Sequence, residues 1–177
     1  MELLAKSRIR FPRAIAFTTY RDLLPKVTPY LPNISSIVVK ERSGEGEHVH
    51  LTNVWTAKSD IPSIARRFIK DEMLMWTDHA DWDQPGWICR WRIETHAFPG
   101  LVECSGTTAF HEAGSDTEIE IKGNLVLHLE HAHVPRLLAG TVQPIIEKVV
   151  VSALKPNLLS TGEGVARYLA AQGPSGS

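Results

Sequence analysis

Between Met73 and Leu129 apolar and polar residues alternate through four runs separated by three turn signals, and this two-residue period predicts an antiparallel meander. The turns are Asp83-Gln84-Pro85-Gly86, Ala97-Phe98-Pro99-Gly100 and Ala113-Gly114-Ser115-Asp116, each with the Gly, Pro or Asp that tight turns favour. Partners across a hairpin keep a constant index sum, so setting Trp82 against Trp87 places Ala80 opposite Cys89, Asp78 opposite Trp91 and Trp76 opposite Ile93. The second turn puts Cys104 beside Ile93, Gly106 beside Trp91 and Thr108 beside Cys89. The third adds Leu125 beside Cys104, Gly123 beside Gly106 and Ile121 beside Thr108. One face then carries Trp76, Trp82, Trp87 and Trp91 with Ile93, Val102, Phe110, Ile119, Ile121, Leu125 and Leu127. The other carries Arg90, Arg92, Glu94, Glu103, Thr107, Glu118, Glu120 and Lys122. A sheet with one oily face has to cover it.

The rest of the chain supplies further strands and the cover. Leu4 to Phe11 reads as a strand, followed by Pro12 as a first helical residue and a short amphipathic run to Leu24. Pro25, Pro29 and Pro32 allow one or two helical turns around Val27, Tyr30 and Leu31, and no more. A hairpin follows, Ile34 to Arg42 and Glu47 to Ala57, closed by Ser43-Gly44-Glu45-Gly46; setting Arg42 against Glu47 pairs Val38 with Leu51, Ser36 with Asn53 and Ile34 with Trp55. Asp60-Ile61-Pro62-Ser63 opens a short helix ending near Ile69. From Pro135 to Ala171 the period becomes helical, with Leu138, Val142, Ile145, Ile146, Val149, Val150 and Leu154 among its apolar positions. This predicts a long terminal helix starting at Pro144 and kinked near Pro156. Gly162 and Gly164 inside it mark a flexible or closely packed end, and a lid function predicts slower ligand exchange on replacing them with alanine.

Composition narrows the partners. The 177 residues suit one domain, residues 1–172, with 173–177 a tail excluded from the fold. With 19 Lys plus Arg against 20 Asp plus Glu there is no basic field for nucleic acid or an anionic membrane. No apolar run is long enough to span a bilayer, and Met1 to Arg13 mixes charge with apolar residues, so the expected location is cytoplasmic. Cys89 and Cys104 face Thr108 and Ile93 instead of each other, which predicts two buried thiols and no disulfide.

In order, the elements are a strand, two short helices, two strands, a short helix, four strands and a long C-terminal helix. This order, with Pro62, Ala65-Arg66-Arg67-Phe68, Asp71-Glu72-Met73, Trp76, Trp82, Pro99-Gly100 and Ser105-Gly106-Thr107, resembles an uncharacterised branch of the START-like (SRPBCC) superfamily. The resemblance implies an α+β helix-grip fold: a seven-stranded curved antiparallel sheet wrapped around the C-terminal helix, with a cavity between them. No catalytic motif is part of the resemblance, and because the superfamily includes lipid carriers, hormone receptors, aromatase/cyclases and oxygenase domains, the fold alone does not choose an activity.

Candidate chemistry comes from the inner face. Its tryptophans, with Trp55 on the matching face of the second hairpin, form an aromatic wall that serves equally as core. Trp91 is expected to lie over Gly106 and Gly123. Ser36, Asn53, Asp78 and Thr108 are polar residues on the same face and want partners. Asp78, predicted among Trp76, Ala80 and Trp91, is expected to have its pKa raised by desolvation unless it turns outward or pairs with Arg66 or Arg67. The histidines predict no metal site: His48, His50 and His128 fall on the outer face, and His131 and His133 lack further ligands at a recognised spacing. Ser43-Gly44-Glu45-Gly46 is too acidic to cradle phosphate, so no nucleotide or other cofactor is expected. Three readings follow. One is a carrier or binder of a small hydrophobic molecule (lipid, polyketide-like or isoprenoid) using Asn53, Trp55, Trp76, Asp78, Trp91 and Thr108. Another is a cyclase, dehydratase or hydrolase with Asp78 as general acid or base, and the last is a module with a solid core. The sequence leaves the oligomeric state open.

Overall fold

Strict alternation of burial along His48–Ala57 shows how the sheet is specified: Val49, Leu51, Asn53 and Trp55 point inward while their neighbours face out. The computed structural model describes residues 1–58, 71–97, 100, 102–128, 156–157 and 160–173. Seven strands are present: β1 (Glu2–Ile9), β2 (Ile34–Ser43), β3 (His48–Ala57), β4 (Met75–Asp83), β5 (Ile88–Thr95), β6 (Val102–Ala113) and β7 (Asp116–Leu127). They form one antiparallel sheet in the order β1-β7-β6-β5-β4-β3-β2, which leaves β1 and β2 as the edges. Its inner face is covered by α1 (Arg13–Asp22), the single turn α2 (Leu24–Val27), a 3-10 turn at Thr28–Tyr30 and the terminal helix α3, helical over residues 160–172.

The core joins these layers through aromatic contacts. Phe17 of α1 stands edge-on to Trp82 at 5.1 Å and to Phe110 at 5.2 Å. Such pairs add about 0.5–1.5 kcal/mol each beyond the area they bury. Pro12 sits one position earlier than expected, before the helix, where its carbonyl accepts the Ala16 N–H at 3.0 Å. At the far end, α3 buries Val165, Tyr168 and Leu169 and donates Arg167 Nη2 to the Tyr30 carbonyl at 2.8 Å.

Pairings from β5 to β7 follow the counted register, including Trp91 with Gly106 and Gly106 with Gly123. The β4–β5 pairing corrects it by two residues: Trp82 faces Cys89, Ala80 faces Trp91 and Asp78 faces Ile93. The cause is local. Trp87 takes a left-handed backbone (φ 50°) and joins the turn, its N–H bonded to the Gln84 carbonyl at 3.0 Å, so pairing starts at Asp83–Ile88. Trp87 is thus no member of the inner strand face; it is half-buried at the rim, edge-on to Phe17 at 5.3 Å, with the Arg13 guanidinium 4.3 Å over its ring.

Pairing in β2 also departs from expectation. Irregularities between Ile34 and Ser36 and between Val39 and Glu41 pair Val39 with Asn53 and Ile37 with Trp55. Ser36 falls opposite Thr56, on the face away from Trp55, and so leaves the inner polar set. The expected helix from Asp60, the turn residues Phe98 and Pro99, and the start of the terminal helix at Pro144 lie outside the described residues.

Gly162 and Gly164 mark close packing. A Cβ at Gly162 would overlap the Ser7 hydroxyl, and one at Gly164 would overlap Leu31 Cδ2. Alanine at position 164 gains about 1 kcal/mol of helix propensity but must displace Leu31, an overpacking penalty of about 1–3 kcal/mol. The expected result for Gly164→Ala is a net loss of about 1 kcal/mol in a urea titration, with α3 loosened. A more stable variant would show that Leu31 moves aside freely.

Candidate ligand-binding site

The antiparallel pairing of β3 with β4 assembles the centre of the inner face. It sets Asn53 opposite Asp78, Trp55 opposite Trp76 and Leu51 opposite Ala80. Trp55 and Trp76 stack with ring centroids 5.9 Å apart and planes 15° from parallel. Across the sheet, Trp91 lies over Gly106 and Gly123 as expected: a Cβ at either glycine would meet its indole at 2.6 Å. Its Nε1 donates to Thr108 Oγ1 at 3.2 Å, so two of the polar inner-face groups hold each other.

These residues border a cavity between the sheet and the helices. Trp55, Trp76, Asp78, Trp82, Trp91, Ile93 and Thr108 line it from the sheet; among the described residues Tyr20, Leu24, Asn157 and Thr161 line it from the helical side. About 50 Å³ is open to the centres of water-sized spheres. One water needs roughly 10–15 Å³, so the space fits a few waters. A drug-sized guest occupies a pocket of about 300–1,000 Å³, far more than this space offers.

Asp78 is the one carboxyl among the described residues that line the cavity. Burial pushes its pKa up to about 6; the Asn53 hydrogen bond, the Trp55 indole N–H and, most weakly, His50 oppose that rise. Asn53 Nδ2 donates to Asp78 Oδ2 at 3.3 Å. The Trp55 N–H is near enough to favour the carboxylate but completes no hydrogen bond by strict geometry. Burial likewise pushes the Tyr20 hydroxyl and the Cys89 thiol well above neutral pH, so both stay uncharged.

Of the six residues singled out from the sequence, Trp55, Trp76, Asp78, Trp91 and Thr108 line the cavity. Asn53 does not: it is 1% exposed and sits behind Asp78, where it orients the carboxyl. The same reasoning missed Tyr20 and Leu24, although Phe17, Tyr20 and Leu24 share the spacing of one helix face. Arg66 and Arg67, possible partners of Asp78, lie outside the described residues.

The described histidines lie elsewhere. His48, His50 and His128 meet Asp83, Asp81 and Glu103 at 3.6, 2.7 and 3.0 Å on the outer face. Among the described residues no three His, Cys, Asp or Glu side chains are placed to hold a metal. Cys89 and Cys104 are free and buried, as their positions predict. No helix among the described residues is long and apolar enough to cross a membrane.

Three solved structures share this architecture. TTHA0849 from Thermus thermophilus aligns over 98% of this chain and 100% of its own with a TM-score of 0.64 at 18% identity. The ZhuI aromatase/cyclase of a Streptomyces species aligns over 98% of both chains with a TM-score of 0.60 at 14% identity. Ara h 8.0201 aligns over 97% of this chain and 98% of its own with a TM-score of 0.56 at 16% identity. By sequence, no family model and no curated protein matches the chain. The protein has the helix-grip fold, a curved seven-stranded antiparallel sheet with a C-terminal helix.

Proposed function

We propose that the protein binds a small hydrophobic molecule between the sheet and the terminal helix. The observation that carries this reading is the wall itself: four indoles and Ile93 border a space that side chains leave unfilled, with the Asp78 carboxyl the one acid among the described lining residues. Burying apolar guest surface contributes about 25 cal/mol per Å², so a few hundred Å² supports binding without any catalytic group. The space holds only a few waters, so a larger guest needs further room on the helical side, which Tyr20, Leu24 and Thr161 line.

Native mass spectrometry followed by organic extraction is expected to find one discrete bound mass. Equilibrium dialysis is expected to retain neopentylbenzene, a neutral apolar probe. No bound mass and no retention up to the probe's solubility limit would leave the solid-core reading standing.

A second reading draws on Asp78. A carboxyl with its pKa near 6 is suited to general acid or base work close to neutral pH, and ZhuI, which shares the fold, is an aromatase/cyclase. As a cyclase, dehydratase or hydrolase, the wild type chemically changes the extracted molecule and Asp78→Asn does not. An unchanged molecule after incubation with wild-type protein supports the binder alone.

A further inference from the structure

We infer that the guest is an organic ammonium ion, its charged head seated against the Asp78 carboxyl and its apolar body against the tryptophans. The inference rests on the binding proposal above and adds the sign of the guest's charge. Asp78 lies on the cavity wall, and among the described residues its one hydrogen-bonding side chain is the neutral amide of Asn53. The basic groups nearest along the sheet point the other way: Arg90 and Arg92 are exposed on the outer face, and His50 is committed to Asp81 at 2.7 Å. Among the described residues, the other groups lining the cavity around Asp78 are uncharged: Trp55 from β3, Cys89 and Ile93 from β5, Tyr20 from α1, and Thr161 from α3.

An unpaired carboxylate among indoles repels anions and attracts cations. Aromatic faces carry the negative side of the ring quadrupole, so Trp55, Trp76, Trp82 and Trp91 add to the attraction. Tyr20 and Cys89, two titratable groups beside Asp78, are held neutral by burial, and His50 acts on Asp78 only weakly. Fatty carboxylates, phosphates and acidic aromatics meet like charge in this space, whereas a protonated or quaternary amine supplies the counter-charge that none of the described residues brings there.

Benzyltrimethylammonium tests this well because its charge is fixed and neopentylbenzene is its neutral isostere. Equilibrium dialysis from pH 5 to pH 8 reads both. Since Asp78 must be ionised to hold the cation, its affinity is expected to rise by up to about tenfold as pH climbs through 6, then level off. At pH 8, Asp78→Asn is expected to weaken the cation by tenfold or more and to abolish its pH dependence. Cation affinity indifferent to both pH and Asp78→Asn, with neopentylbenzene retained, would overturn the ammonium assignment and leave apolar binding intact. Retention of neither probe would overturn both.

Discussion

Gly106→Ala is expected to destabilise the protein by about 3 kcal/mol or more in a denaturant titration, at the upper end for overpacking. Its added Cβ would overlap the Lys122 carbonyl oxygen and lie 2.6 Å from both Gly123 Cα and Trp91 Cζ2. Two of those three atoms are backbone of the paired strand, which cannot turn aside without opening the β6–β7 ladder. Gly123→Ala is different, because its nearest neighbour is Trp91 Cη2 at 2.6 Å, followed by the Ser105 carbonyl at 2.9 Å. Combining each with Trp91→Phe separates the causes: the smaller ring relieves most of the Gly123→Ala penalty and little of the Gly106→Ala penalty. Equal relief in both backgrounds would show that the indole, and not the neighbouring strand, excludes a side chain at position 106.

The second large effect is in the pH dependence of stability. Asp78 has an ordinary pKa of 3.8 in the unfolded chain and about 6 when folded, so the native state holds its proton more tightly. Between those values the folded protein binds more protons, and stability falls as pH rises from about 4 to about 6. A shift of about two units corresponds to roughly 3 kcal/mol lost by pH 7, an order-of-magnitude figure. Asp78→Asn removes the ionisation and keeps the shape. Its unfolding free energy is therefore expected to exceed that of wild type by about 2–3 kcal/mol at pH 8 and to match it near pH 4. A variant less stable than wild type at pH 8 would mean that the carboxylate is compensated within the fold, and the unpaired charge on which the ammonium assignment depends would be gone.

Much of the sheet was legible because hairpin pairing obeys arithmetic once the turn is right. The two-residue turn Gly114-Ser115, with Gly114 at φ 70°, fixes β6 against β7, and the counted register holds from Ala113–Asp116 to Val102–Leu127. Arithmetic fails where the backbone does something its residues disfavour. Nothing in the sequence signals a left-handed tryptophan at position 87, and that one residue slides Asp78 from Trp91 to Ile93. The shift of two preserves which face each strand residue uses, so Trp76, Trp82 and Trp91 were read on the right face although their β4–β5 partners were not, and Trp87 left that face altogether. The bulges in β2 are one-residue shifts, and Ser36 accordingly changed faces.

The central polar pair was out of reach for a different reason. Asn53 and Asp78 meet across β3 and β4, which are joined by a long connection instead of a tight turn, so no index sum relates them. Sequence reading put both side chains on the inner face but could not place one behind the other. Gly162 and Gly164 show the reverse limit: helix propensity marks them as weak points, and only the neighbouring Ser7 and Leu31 reveal why nothing larger fits.

The irregular pairing of β2 also bears on how the protein behaves at high concentration. Its outer margin is a sheet edge with Val38 and Val39 exposed at 45% and 40%, the sort of margin onto which another molecule can add a strand and start a fibril. The two kinks spoil the straight run of free amides and carbonyls, and Lys40, Glu41 and Arg42 crowd the adjoining stretch with charge. What defeats register counting in this strand also makes it a poor template for self-propagating growth.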